Sequence, residues 1–239
     1  MHRWTTGLGP PAGGRSPCVL PGMPHPLFLV PTGLERRFIE PVVTAAAPFR
    51  LELCGFGPVV AAARTAALLA ELRPERVLLI GIAGRLDEQL AIGAAYCFAQ
   101  VACHGVGAGT AAAHRPAEAL GWPQWPGDGG DPATRIGDLL PCSSGGLPAG
   151  RMGGLLLTVC SASADASDVQ ARLQLHPGAA AEEMEGFAVA AACRLAGVPL
   201  DIVRGISNSA GDRDTTRWRV DDACRAAAEL ALTLLGDRP

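Results

Sequence analysis

No cluster of Lys or Arg runs along this chain, and 20 basic against 23 acidic side chains leave a net charge of −3. Binding a run of phosphates needs a stripe of positive charge, so nucleic acid is not expected as a partner. No C-x-x-C pair occurs either. The eight cysteines (Cys18, Cys54, Cys97, Cys103, Cys142, Cys160, Cys193, Cys224) lie at wide intervals, which argues against a zinc site and against a disulfide framework. The five histidines (His2, His25, His104, His114, His176) lack metal-ligand spacing. No bound metal is expected, and the thiols read as the reduced set of a cytoplasmic protein. The first residues hold no seven-residue apolar stretch that would serve as a signal-peptide core, so secretion is not expected. A membrane span needs about twenty apolar residues, and Arg64 and Glu71 interrupt the richest run.

What is present is enough apolar residue for a substantial core: 49% of 239 residues. One domain over 27–236 is expected. Residues 1–26 are crowded with Pro and Gly and show no apolar period, so they read as a flexible N-terminal extension. Met23, just before the first regular segment, is an alternative start.

From residue 27 onward the pattern alternates. PLFLVPTG reads as a buried strand running into a loop, and FRLELCGFG as a second strand ending in Gly55-Phe56-Gly57. PVVAAARTAALLAELRP is a helix between two prolines, and VLLIGIAG is a fully buried strand. The theme recurs with GLLLTVCSAS as strand and loop, EEMEGFAVAAACRLAG as helix, PLDIVRGIS as strand and a last Ala/Leu-rich helix over about 215–235. Residues 104–150, rich in Gly, Pro, Asp and Ser, read as loops and insertions. This order predicts a three-layer αβα domain with a mixed central sheet.

Three places hold candidate chemistry. Asn208 lies at the carboxyl end of PLDIVRGIS, where its amide can donate to O6 and accept from a protonated N7 of a 6-oxopurine; it can equally cap a turn. Glu182, Glu183 and Glu185 crowd what reads as the first turn of a helix, where the helix dipole alone explains them. Met184, Ala188, Ala191 and Leu195 make that helix's apolar stripe. Glu185 then lies about 100° off it, at the edge of a cleft, able to accept from two ribose hydroxyls. Glu35, closing the first loop, is a candidate general base, or else a surface charge at a helix start paired with Arg36 or Arg37.

Taken together, M-E-G-x-A-V-A at Met184 and R-G-I-S-N-x-x-G-x-R-D-x-x-x-W from Arg204 to Trp218 resemble the nucleoside phosphorylase and nucleosidase family, in particular its futalosine-hydrolysing branch. The likeness extends over nearly all of 27–236 and includes the glycine loops GFG and GIAG. It implies that Glu35 activates water, Met184 packs on the sugar, Glu185 binds its hydroxyls and Asn208 takes the purine. Gly57, Ala83, Gly84 and Ser207 join the expected substrate-binding set. The resemblance implies a small purine nucleoside as ligand, a homo-oligomer and no cofactor. Adenine-releasing relatives carry Asp where Asn208 stands, and phosphorylases carry phosphate-binding arginines where this chain has the Glu35 region and Leu78-Leu79. Futalosine bears an aromatic carboxylate at its 5′ end, and Arg213, Arg217 and Trp218 are expected on that side, unless Arg213 merely pairs with Asp214. A phosphorylase, a methylthioadenosine-type nucleosidase and an inactive nucleoside-binding homologue are the alternatives.

Overall fold

The computed structural model describes residues 25–45, 49–110, 113–143 and 150–236. The expected extension over 1–26 therefore lies almost wholly outside the described residues.

In chain order the elements are β1 (Leu27–Val30), α1 (Gly33–Val43), β2 (Arg50–Leu53), α2 (Pro58–Leu72), β3 (Val77–Arg85), β4 (Ala95–Phe98), β5 (Gln100–Cys103), β6 (Gly107–Ala108) and β7 (Arg115–Pro116). They continue with β8 (Leu139–Pro141), β9 (Leu155–Thr158), α3 (Ala166–Leu175), β10 (Ala179–Glu183), α4 (Gly186–Ala196), β11 (Leu200–Ser209) and α5 (Val220–Gly236). Among the described residues, nine strands form one mixed sheet, and β6 with β7 makes a separate ribbon.

The sheet is built around β3, whose apolar run Val77–Ile80 is fully buried, as its unbroken hydrophobic sequence requires. It lies parallel to β1 and β11, while its carboxyl end meets β10 antiparallel. β4 and β5 are one strand interrupted at Ala99: the first half pairs with β11 and the second with β9. The ladder from β3 through β11, β4, β5, β9 and β10 therefore returns to β3, curling the sheet into a closed circuit. Helices α2 and α4 pack together on one core cluster, and α1 and α5 on another. Gly205 allows the closest of these approaches, since a Cβ there would meet the backbone carbonyl of Ala223 on α5.

Three expectations need correction. The loop after β1 lasts two residues before α1 begins, because Thr32 caps the helix by accepting from the Glu35 amide at 3.3 Å. Glu182 and Glu183 do not start a helix: they end strand β10, and α4 begins only at Gly186. Short Ala-rich runs fit either structure, and tertiary pairing with β9 decides for strand. Of the expected stripe Met184, Ala188, Ala191 and Leu195 only Ala188 is buried; Leu195 is 49% exposed, and Phe187, Val189, Ala190, Ala192 and Cys193 face inward with Ala188. Finally, 104–150 is not wholly loop, since β8 extends the main sheet beside β5.

Candidate active site

A pocket of about 300 Å³ opens at the carboxyl ends of β1, β3, β9, β10 and β11, a size suited to a small molecule. Its walls include Glu35, Ala83, Gly84, Met184, Glu185, Ser207, Asn208, Arg213 and Trp218. Nine of the ten sequence-nominated residues thus line one cavity. The tenth, Gly57, contributes from behind: its amide, at the start of α2, donates to Oε1 of Glu185 at 2.9 Å.

Glu35 is only 4% exposed, which removes the surface-charge reading. Arg36 does not pair with it; Arg36 binds Glu40 one turn along α1, at 2.7 Å. Glu35 instead receives the Thr32 hydroxyl on Oε2 at 2.6 Å and the Ile82 amide on Oε1 at 3.0 Å. Burial raises its pKa above the ordinary carboxylate value, against the opposing pull of Arg204 and these hydrogen bonds.

Glu185 reaches the cavity from the residue before α4, not from a helical face. Burial, then the neighbouring Glu183, pushes its pKa up to about 7. Glu183 has a different task. It accepts from the amides of Glu185 at 3.0 Å and Gly186 at 2.9 and 2.7 Å, and from the Thr158 hydroxyl at 2.5 Å, so it anchors the start of α4. Glu182 is tied down by the Ser163 amide and hydroxyl at 2.8 and 2.7 Å and by an ion pair with Arg172.

The residue that sequence reasoning passed over is Arg204. Its guanidinium is fully buried, pairs with Glu183, and lies 3.4 Å from Oε2 of Glu185. Nη1 has no protein partner, and a Cβ added at Gly81 would collide with both that atom and Oε1 of Glu35. Glycine at 81 thus lets guanidinium and carboxylate face each other across β3. The signal was available: an Arg in the middle of a buried strand, three residues from the strand's one Asp, requires charged partners.

Asn208 is 7% exposed and sits within β11, so it is not a turn cap. Register slips between Ile206 and Asn208, a bulge that turns consecutive residues, Ser207 and Asn208, into the same cavity. The Ser207 hydroxyl donates to Oδ1 of Asn208 at 2.6 Å, and Nδ2 donates to the Ser209 carbonyl at 2.8 Å. One lone pair and one N–H remain for a ligand. The expected alternative for Arg213 also fails: Asp214 contacts Arg217 at 3.4 Å, while the Arg213 guanidinium lies 5.2 Å from the centre of the Trp218 ring.

With buried carboxylates facing one arginine and a neutral amide opposite, the cavity can stabilise positive charge on a bound sugar while the amide engages a planar base. The profile of the phosphorylase superfamily matches residues 31–236. The chain belongs to that superfamily. A futalosine hydrolase from Thermus thermophilus is 32% identical over 228 residues, spanning 88% of this chain and 95% of that protein. A 5′-methylthioadenosine/S-adenosylhomocysteine nucleosidase from Marinomonas is also 32% identical, over 73% of each chain. The solved futalosine hydrolase of Helicobacter pylori shares the fold, with a TM-score of 0.70, 17% identity and coverage of 90% of this chain and 98% of that one. These relatives are nucleosidases, and this superfamily member is an N-glycosyl hydrolase of their kind.

Among the described residues no group of three or more His, Cys, Asp or Glu is arranged to hold a metal, and no helix is long and apolar enough to cross a membrane.

Proposed function

We propose that this nucleosidase hydrolyses the N-ribosidic bond of futalosine, releasing hypoxanthine and dehypoxanthine futalosine, as a step of menaquinone biosynthesis. The observation that carries the reading is Asn208 in the cavity, with one donor and one acceptor free. A 6-oxopurine protonated at N7 offers the complementary acceptor and donor on adjacent positions.

In this reading the ribose hydroxyls bind ionised Glu185, and Met184 packs against the sugar. As the bond from C1′ to the purine lengthens, positive charge grows on the sugar, and the buried carboxylates stabilise it. A water held between Glu35 and Arg204 adds to C1′ and passes its proton to Glu35. N7 takes its proton from solvent as the bond breaks and donates it in a hydrogen bond to Oδ1 of Asn208 while O6 accepts from Nδ2; the purine leaves neutral, and the proton taken up by Glu35 returns to solvent. Hydrolysis is favoured over phosphorolysis because a phosphate dianion in this cavity would face Glu35, Glu183 and Glu185.

The second reading, a methylthioadenosine-type nucleosidase, is favoured by the Marinomonas relative, whose identity equals that of the Thermus one. It requires adenine release. Incubating purified protein with futalosine, inosine and methylthioadenosine, with and without phosphate, and separating the bases by chromatography decides among these. Hypoxanthine from futalosine without phosphate is the expected result; adenine release alone would transfer the assignment to the second reading.

A homo-oligomer in the cytoplasm completes the proposal. Phe56, Val59 and Val60, 54 to 80% exposed beside the pocket mouth, form an apolar surface that fits a second subunit, and the seven described cysteines are free thiols.

A further inference from the structure

Glu182 lines the cavity, yet its carboxylate is turned onto the protein. Oε1 accepts from the Ser163 amide at 2.8 Å; Oε2 accepts from the Ser163 hydroxyl at 2.7 Å and from Nη1 of Arg172, its ion-pair partner. The same guanidinium donates through Nη1 to the Ser163 hydroxyl at 2.5 Å and through Nη2 to the Ser161 carbonyl at 2.5 Å. Arg172, Glu182 and Ser163 are all buried. One ion pair between α3 and β10 therefore grips two residues of the segment 159–165, which joins β9 to α3. Apolar side chains of similar volume commonly stabilise a core as well as a buried ion pair does, so stability alone does not account for these two charges.

The gripped segment is a wall of the cavity. Val159 and Ala162 line it, and Asp165 abuts Gly211, another lining residue, where an added Cβ would come within 2.8 Å of the Asp165 carbonyl. Gly84 on β3 pairs with Glu182 on one side and with Asn208 on the other. The clamp and the amide thus face each other across a glycine, two strand spacings or roughly 10 Å apart. In the proposed reaction a planar base held by Asn208 fills that gap and puts its opposite edge against 159–165.

We infer that Arg172 and Glu182 are positioning residues: their ion pair holds 159–165 as the second wall of the base site, without touching the substrate. The clamp acts on binding more than on bond breaking, because Glu35, Glu185 and Asn208 are fixed by contacts outside it. The inference rests on the reading that a purine lies at Asn208 and adds what holds the other side of that base.

The test uses the double variant Arg172→Met/Glu182→Leu, which removes both charges and keeps the buried volume filled. Arg172→Lys accompanies it, keeping the charge pair but losing the fork that reaches Ser161. Three quantities are read in the full-length protein: Kd for free hypoxanthine and free adenine by calorimetry, KM and kcat on futalosine, and hydrogen exchange across 159–165 by mass spectrometry. In the double variant, Kd and KM should each rise on the order of tenfold while kcat stays within about threefold. Exchange across 159–165 should quicken at an unchanged unfolding midpoint, and Arg172→Lys should fall between. Unchanged exchange overturns the inference, because the pair would then not hold the segment. Quicker exchange with unchanged Kd overturns it as well, since the segment would not border the base. So does a loss of kcat at constant KM, which would place the pair in the chemistry. If the double variant does not fold, Arg172→Lys carries the same comparison. Native protein that binds and releases adenine alone would sink the 6-oxopurine reading, and the adenine Kd would still decide the clamp; native protein that binds neither base would overturn both.

Discussion

Nη2 of Arg204 lies 3.4 Å from Oε2 of Glu185, at the looser end of a contact whose tighter end is Glu183. One guanidinium therefore serves two carboxylates and faces a third, Glu35, across Gly81. Removing it strands negative charge in a buried place. Arg204→Leu is expected to lower stability by about 3–5 kcal/mol, as for other broken buried pairs, with Arg204→Lys recovering part of the loss. Urea unfolding measures this, and an unchanged midpoint would mean that the carboxylates are neutralised without Arg204.

Glu35 tests the water-activating role. In Glu35→Gln the amide oxygen can still accept from Ile82, so folding should survive while kcat drops by about 10²- to 10⁴-fold. Gly81→Ala should act on the same step from outside the cavity, because the new Cβ would lie 2.6 Å from Oε1 of Glu35. Comparable kcat in native enzyme and Glu35→Gln would remove Glu35 from the reaction.

The pH dependence follows from Glu185, whose pKa is raised from 4.5 to about 7 by burial and by Glu183. Below about pH 7 it is protonated and is a poorer acceptor for ribose hydroxyls. The kcat/KM profile should therefore fall on the acid side with an apparent pKa near 7, a property of the coupled carboxylate cluster as a whole. The folded form holds this proton more tightly than the unfolded chain does, so the group favours folding at low pH. That contribution is lost as pH rises from about 4.5 to 7. Thermal denaturation of native protein and Glu185→Gln between pH 5 and 8 should show the difference, and parallel curves would contradict it.

In the proposed reaction Asn208 reads the base. In Asn208→Asp a carboxylate would accept from a 6-amino group and repel O6, so relative kcat/KM should move from hypoxanthine towards adenine release by about a hundredfold. Parallel losses on inosine and methylthioadenosine would show that 208 supports the loop without reading the base.

How much of this could be read from the chain alone differed by residue. The strands at Leu27 and Val77 and the helix from Pro58 follow from local pattern, since unbroken apolar runs and a proline at the first helical position leave few alternatives. The strand at Ala179–Glu183 does not, because AAAEE has helical composition and only its ladder with β9 makes it extended. Glu185 was consequently assigned to the cavity for the wrong geometric reason: it is fixed by the Gly57 amide, 128 residues away in sequence. Arg204 went unremarked because its meaning lies in partners from three other parts of the chain.

The bulge at Ser207 has a consequence for how this protein can change. Upstream of it β11 carries Arg204, which in the proposed reaction serves bond breaking; downstream it carries Asn208, which in that proposal chooses the purine. Because the offset separates the two proposed assignments along a single strand, a one-codon replacement at 208 is expected to redirect the enzyme to a different nucleobase while leaving the hydrolytic apparatus intact. Divergence of substrate range, in nature or by directed evolution, should therefore accumulate on the carboxyl side of Ile206 and spare the amino side.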